Sequence, residues 1–335
     1  MLRFLVRRTL LAVLTLVAIS ITTFGLFFAG PANPAASMCG TKSCSAQDQA
    51  RINDWLGLDR PIFEQYTDFM KGIFVGRKIG EGSTLANGLT IDCPAPCLGV
   101  SFRSNEPVMS ILSRAVPITV SIVVGAAVVY WLVGIGLGMV SAIRRGTVLD
   151  RTAVGFSLTF ASMQIFFLGP VLLLLLVYNT DLLKYPSWVP PTEDPVAWFK
   201  GMLLPWITLG LINSASYARL SRAQMLETLS EDFIRTARAK GLSARVVNMR
   251  HAFRASITPL VTIAGLDLAG QLGGVVITES VFGFFGLGRQ AILAVNNLNL
   301  PIIMAVVLLA AVLIVVANLI VDMLYAVIDP RVRLS

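Results

Sequence analysis

Apolar residues gather into long runs separated by short charged clusters, and the runs have the length needed to cross a bilayer. A helix rises about 1.5 Å per residue and the hydrocarbon core is roughly 30 Å thick, so about 20 uncharged residues are enough. Residues 9–29, 115–143, 152–180, 201–218 and 290–321 carry no charge, and residues 255–278 carry only Asp267. Six spanning helices are predicted. The second, third and sixth runs exceed the minimum, which predicts tilt or extension beyond the bilayer. Three arginines, Arg3, Arg7 and Arg8, precede the first run as in a secretory signal. Its 21 uncharged residues are more than a signal core uses and no A-x-A site follows, so it is expected to stay as a helix.

Two connecting stretches, from 31 to about 112 and from 227 to about 254, are far longer than ordinary connectors. In the first, Ile62, Tyr66, Phe69, Met70 and Ile73 recur at three and four residues, one face of an amphipathic helix starting near Pro61. The second carries helix punctuation twice. Ser230 is placed as an N-cap with Glu231 and Asp232 behind it, Gly241 is placed as a stop, and Ser243 can cap a second helix reaching about Arg254. Phe233, Ile234 and Ala237 make a small apolar face among arginines. Such a helix could lie on anionic lipid or plug a groove in a partner.

Composition and charge sharpen this picture. The chain is 55% hydrophobic and 14% charged with a mean hydropathy of +0.75, far from soluble or disordered proteins. With six crossings both termini share one side, and that side holds 16 basic against five acidic residues while the other holds 11 of each. The positive-inside bias makes the basic side cytoplasmic. The net charge of +8 is then topology, and nucleic-acid binding loses its support. All four cysteines, Cys39, Cys44, Cys93 and Cys97, fall in the external stretch, which predicts two disulfides with three possible connectivities. Cross-pairing of 39/44 with 93/97 would staple a small external domain; local pairing would tighten two turns. Their C-x4-C and C-x3-C spacings are loose for structural zinc.

Catalytic signatures do not occur. There is no G-x-x-x-x-G-K-[ST], G-x-S-x-G or H-E-x-x-H, and the single histidine, His251, lies among cytoplasmic arginines, so no catalytic residue and no metal site is assigned. Any ATP must be hydrolysed by another chain. Asp267, Glu279 and Asp322 are the intramembrane or near-interface carboxylates. Asp267 is the deep one, with Gln271 at i+4 and glycines at 270, 273 and 274; it could line a wet path or serve helix packing. Three carboxylates without basic partners make a poor proton relay, which disfavours an ion-coupled secondary transporter.

The string RTARAKGL, Arg235 to Leu242, followed by RHAFRASITP, Arg250 to Pro259, resembles the EAA loop of binding-protein-dependent ABC importer permeases in their dipeptide/oligopeptide form. The start MLRFLVRRTL, the LGLDRP segment with Gln65 and Tyr66, TESVFGFFGLG from Thr278 to Gly288, and NLIVDMLYAVIDPRVR from Asn318 to Arg333 resemble further family motifs in order along nearly the whole chain. Phe285 stands where the family pattern has proline, and the stretch from Arg77 to Asn105 is longer than the family's usual external region.

The resemblance implies an all-α membrane protein with six transmembrane helices and the type I ABC importer permease fold. It would comprise an N-terminal elbow and first helix in 1–30, an external disulfide-containing domain in 31–112, and a permease core in 113–335 with a coupling loop at 227–256. Phe233, Ile234, Arg235, Ala237, Arg238 and Gly241 would couple to an ATPase; Asp267, Gln271 and Glu279 are pore-lining candidates. It implies the "B" half of a pore for peptides in a bacterial plasma membrane, with both termini cytoplasmic. The implied partners are a second homologous permease, two ATP-binding subunits, an extracytoplasmic binding protein and lipid, without nucleic acid. ATP and magnesium would belong to the partner ATPases, and no cofactor to this chain. The same importer class also carries nickel, haem, glutathione and oligosaccharides.

Overall fold

A computed structural model describes residues 2–28, 45–80, 90–101 and 103–328. Cys39, Cys44, Arg331 and Arg333 lie outside the described residues. Among those residues five helices are long and apolar enough to cross a membrane, and a bent pair brings the number to six if it is counted as one span. The helices are α1 Leu2–Phe28, α2 Ala46–Leu56, α3 Ile62–Val75, α4 Val108–Ile143, α5 Val148–Ser162, α6 Ile165–Asn179, α7 Pro195–Ser230, α8 Asp232–Ala239, α9 Ala244–Leu272, α10 Val276–Phe282, α11 Leu287–Asn296 and α12 Leu300–Ile328. Turns of π-helix interrupt α4 at Trp131–Ile135 and α9 at Val247–Ala252, and one ends α6 at Leu174–Asn179. Strands β1 Arg77–Ile79 and β2 Ile91–Cys93 form one antiparallel hairpin.

Three spans differ from the expectation. The third is not a straight rod, because α5 and α6 meet at 102° across Met163 and Gln164, both in extended conformation. No proline causes the bend, since Pro170 lies within α6. The fifth helical span ends at Leu272, where Gly274 adopts a φ of +127° that a side chain would resist. Residues 290–299 do not belong to the sixth. They fall in α11 and a tight turn in which Leu298 has a positive φ and Asn299 donates from its side chain to Ser101 Oγ at 2.8 Å.

The chain forms two compact units. The first comprises Met1–Thr119 and Phe285–Leu319. Its core sets Phe24 and Phe28 of α1 against Tyr66, Phe69, Met70 and Ile73 of α3, with Met304 and Ala305 of α12. The predicted amphipathic face is therefore real except at Ile62, which is exposed. Pro61 occupies the N-cap position of α3, as expected. A disulfide joins Cys93 to Cys97, so these two cysteines pair locally rather than with 39 or 44. The N–H of Cys97 donates to Gly72 O at 3.1 Å, tying the clipped turn to α3. Before α4, Glu106 accepts hydrogen bonds from Ser110 Oγ and Arg114 Nη2, each at 2.7 Å. Donation by Ser110, then by Arg114, holds its carboxyl below the usual range.

The second unit comprises Val120–Phe284 and Ile320–Ser335. Helix α7, 36 residues long, packs closely along α4, with glycines at the points of nearest approach. A Cβ on Gly125 would lie 2.0 Å from the Trp206 ring, one on Gly134 2.8 Å from Ser214 O, and one on Gly138 2.4 Å from Ala218 O. Gly210 of α7 meets Val129 in the same way. Lipid offers no hydrophobic gain for bringing apolar helices together, so close backbone approach at small residues supplies the packing. Trp206 Nε1 adds a hydrogen bond to Ser121 O at 2.8 Å.

Two outcomes follow. Gly138→Ala must displace backbone and is expected to cost about 1–3 kcal/mol, lowering the melting temperature of purified protein, whereas Gly136→Ala on the same helix meets nothing within 4 Å and should leave it unchanged. Because the Glu106 carboxyl is held low when folded, its contribution is present above the ordinary carboxylate value and fades as pH falls through the depressed one. Glu106→Gln should lower stability at neutral pH and flatten the acid limb of a melting-temperature profile.

Candidate functional site

The segment between α7 and α9 is shaped by two local events. Ser230 does not act as the expected N-cap, because its hydroxyl donates back to Glu227 O at 2.7 Å and it ends α7 instead. Glu231 takes the capping position in extended conformation without a side-chain bond, and α8 begins at Asp232. Gly241, at a φ of +75°, closes the segment as its place in the sequence predicts. Ser243 precedes the next helix, but that helix does not stop near Arg254; it runs on to Leu272.

Helix α8 is two-sided. Ile234 and Ala237 are buried with Met225 of α7, Ala142 of α4, and Val247 and Ala252 of α9. The other face is exposed: Phe233 at 47% and the Arg235 side chain at 74%, with Arg238 beside them. Of the six residues marked by sequence, two anchor the helix, one ends it and three are presented outward.

Beside this helix lies a cluster that the sequence did not single out. Arg222 of α7 grips Asp150 of α5 with two prongs, Nε to Oδ1 at 2.8 Å and Nη2 to Oδ2 at 3.0 Å. Ser141 of α4 donates to the same Oδ1 and accepts from Arg222 Nε at 2.9 Å, and the Gly146 N–H donates to Oδ2 at 2.9 Å. One carboxylate thus ties α4, α5 and α7 together eight residues before α7 ends. Asp150 and Arg222 are separated by 72 positions, and each reads in the sequence only as a charge flanking a span.

A second cluster sits deeper. Tyr130 and Tyr217 lie in the middle third of the 36-residue helices α4 and α7 and stack with ring centroids 5.0 Å apart. Tyr217 Oη donates to Asp267 Oδ2 at 2.7 Å, so α9 brings its carboxylate to the same depth. Asp267 is otherwise exposed, on a stripe of α9 with Pro259, Ile263, Leu266 and Gly270. Gln271 follows one turn on, and α9 stops just beyond it. Glu279 stands apart, enclosed in α10.

In the first unit a cavity of about 550 Å³ has Phe24, Phe69 and Met304 in its lining and Lys71, Arg77 and Lys78 around them. Burial lowers the pKa of Arg77, with the charge of Asp68 opposing.

The two-pronged pair gives a graded test. Arg222→Lys keeps the charge and loses the second prong, and should lower the melting temperature of detergent-purified protein less than Asp150→Asn, which leaves the guanidinium unmatched. The exchanged pair Asp150→Arg with Arg222→Asp should recover part of the loss, measured by thermal unfolding.

Comparison with known proteins agrees with this architecture. Residues 1–123 match the N-terminal family described as binding-protein-dependent transport system membrane component, and residues 134–334 match the binding-protein-dependent transport system inner membrane component family. The dipeptide transport system permease protein DppB of Escherichia coli K12 is 34% identical over 356 aligned positions, covering 99% of each chain. A probable peptide ABC transporter permease protein, y4tP, of Sinorhizobium fredii is 32% identical over 98% of this chain and 99% of its own. A DppB of Alkalihalophilus pseudofirmus is 31% identical over 99% of this chain. A chain of the MetNI methionine ABC transporter, solved in inward-facing conformations, superposes with a TM-score of 0.55 at 18% identity, covering 67% of this chain and 99% of that one. With up to six apolar spans, a short helix between α7 and α9, and both family descriptions matched, this chain belongs to the inner-membrane permease components of binding-protein-dependent ABC importers and has the type I permease fold.

Proposed function

We propose that the chain is one of two permease subunits of an ATP-driven importer, and that its cargo is peptide, as the names of its relatives say of them. The observation that carries the mechanism is the two-sided α8. Ile234 and Ala237 hold it to α7 and α9, so a push on its exposed face would be passed to both spans rather than absorbed by a loose loop. Phe233, Arg235 and Arg238 are the face offered to an ATPase groove. Two ATP-binding partners would hold ATP and magnesium, and this chain would carry out no hydrolysis.

In this reading both termini and α8 face the cytoplasm, as the basic bias requires. The segment between α1 and α4, with its clipped turn and basic cavity, faces an extracytoplasmic binding protein that delivers cargo. The exposed stripe of α9 supports its place on the pore. A carboxylate at mid-depth is costly against lipid, so the side of α9 that carries Asp267 belongs to a wet path or the second permease. Asp267 and Gln271 are the pore residues; Glu279, enclosed, would support the wall behind them.

The test is the complex purified with its ATPases. Phe233→Ala with Arg238→Glu should release the ATPases and reduce ATP-driven peptide uptake at least about tenfold, the loss of one interface hot spot. The chain itself should remain folded, since neither side chain is in the core. Retained ATPases with unchanged uptake would overturn the assignment of this face.

A further inference from the structure

The neighbourhood of Asp267 has a chemistry that its depth alone does not explain. Its carboxylate uses one oxygen on Tyr217 Oη and makes no salt bridge among the described residues. Gln271, one turn later, has its Oε1 buried beside Tyr130 and no hydrogen bond of full geometry inside the chain. The Tyr130 hydroxyl, on a fully buried side chain, faces Gln271, and the Trp131 indole N–H faces Tyr217, but neither pair closes to hydrogen-bond distance. Tyr130 stacks on Tyr217 and packs edge-on to Trp131 at 5.8 Å. The π-helical turn begins at Trp131, an irregularity often found where a helix builds a site.

The backbone points the same way. Helix α9 ends one residue past Gln271, at the depth of the two tyrosines, with Gly273 and Gly274 donating back to the carbonyls of Gly270 and Gln271. A helix C-terminus carries about half a negative charge. A carboxylate, an amide oxygen, a negative helix end and aromatic faces therefore converge at one place where no lysine or arginine answers them. Such a set favours a compact cation that can donate several N–H bonds and rest against π-faces.

We propose that Asp267 and Gln271, backed by Tyr217, Tyr130 and Trp131, form a pore subsite for an ammonium group, filled by the free N-terminus of a peptide in transit. This rests on the importer reading above and deepens it: the permease would itself check one feature of its cargo. Tyr217 is a positioning residue that fixes the carboxylate, while Asp267 would touch the cargo and Gln271 would lie behind it.

The experiment uses the complete importer in nanodiscs, trapped with ATP and vanadate and without its binding protein. Binding of radiolabelled dialanine and of N-acetyl-dialanine is measured by equilibrium dialysis. Wild type should bind dialanine saturably and the acetylated form at least about tenfold more weakly, the worth of a charge-assisted hydrogen bond. Asp267→Asn should weaken dialanine binding by a similar factor and leave N-acetyl-dialanine unchanged; Asp267→Glu should restore part of it. Tyr217→Phe, which removes only a hydroxyl, should give a smaller loss in the same direction and carries the test if the Asn variant does not assemble. Equal binding of the two dipeptides, or an equal effect of Asp267→Asn on both, would overturn the subsite. Loss of the second permease from the Asn variant during purification would overturn it in favour of a subunit contact, and displacement of dialanine by sodium at equal concentration would overturn it in favour of an inorganic cation site. If wild type binds no dialanine, the subsite fails, while ATP-driven dialanine uptake by the same assembly would still uphold the importer reading.

Discussion

Two apolar helices in lipid gain nothing from leaving lipid, so their association depends on how closely their backbones can come. Here that constraint is met by Gly125, Gly134 and Gly138 on α4 and Gly210 on α7, where a single added carbon would collide with the neighbouring helix. Everything of functional interest in the second unit hangs from this contact. Tyr217 and Arg222 are carried on α7 within one to three turns of it, and α7 runs without interruption to the short helix α8. A chain that failed to seat these helices would misplace both carboxylate clusters at once.

Those clusters handle negative charge in opposite ways. Asp150 is matched by a guanidinium, a hydroxyl and a backbone N–H, leaving its oxygens little capacity for anything else. Asp267 receives a single hydroxyl and keeps the rest. A saturated carboxylate holds segments together; an unsaturated one in a low-dielectric setting is a demand for a partner. The same residue type therefore serves as fastener at the end of α7 and, by our proposal, as reader of cargo in its middle.

Much of the architecture was legible in charge-free run length, because lipid leaves a spanning chain few options. The α3 face and the Gly241 stop were legible too, since each rests on local spacing. What escaped were features decided by distant partners. The break at Met163 and Gln164 has no glycine or proline to announce it, and the uncharged run 290–321 hides a turn at Leu298 and Asn299 that is tied to Ser101, 198 positions away. Ser230 looked like a cap by type but spent its hydroxyl on Glu227. Arg222 and Asp150 were counted as topology signals, and only folding showed that they meet. In the α8 segment, which of the six residues marked by sequence face inward depends on Met225, Val247 and Ala252 on neighbouring helices.

The Cys93–Cys97 bond spans only four positions, and its anchor to Gly72 is a backbone hydrogen bond rather than a second crosslink. A covalent clip that encloses nothing but its own turn places no condition on how much chain precedes it. Insertions and deletions between β1 and β2, or ahead of α2, can therefore accumulate without breaking a sulfur bridge at this turn. The length of the segment is therefore free to change while the turn at Cys93 and Cys97 keeps its clip.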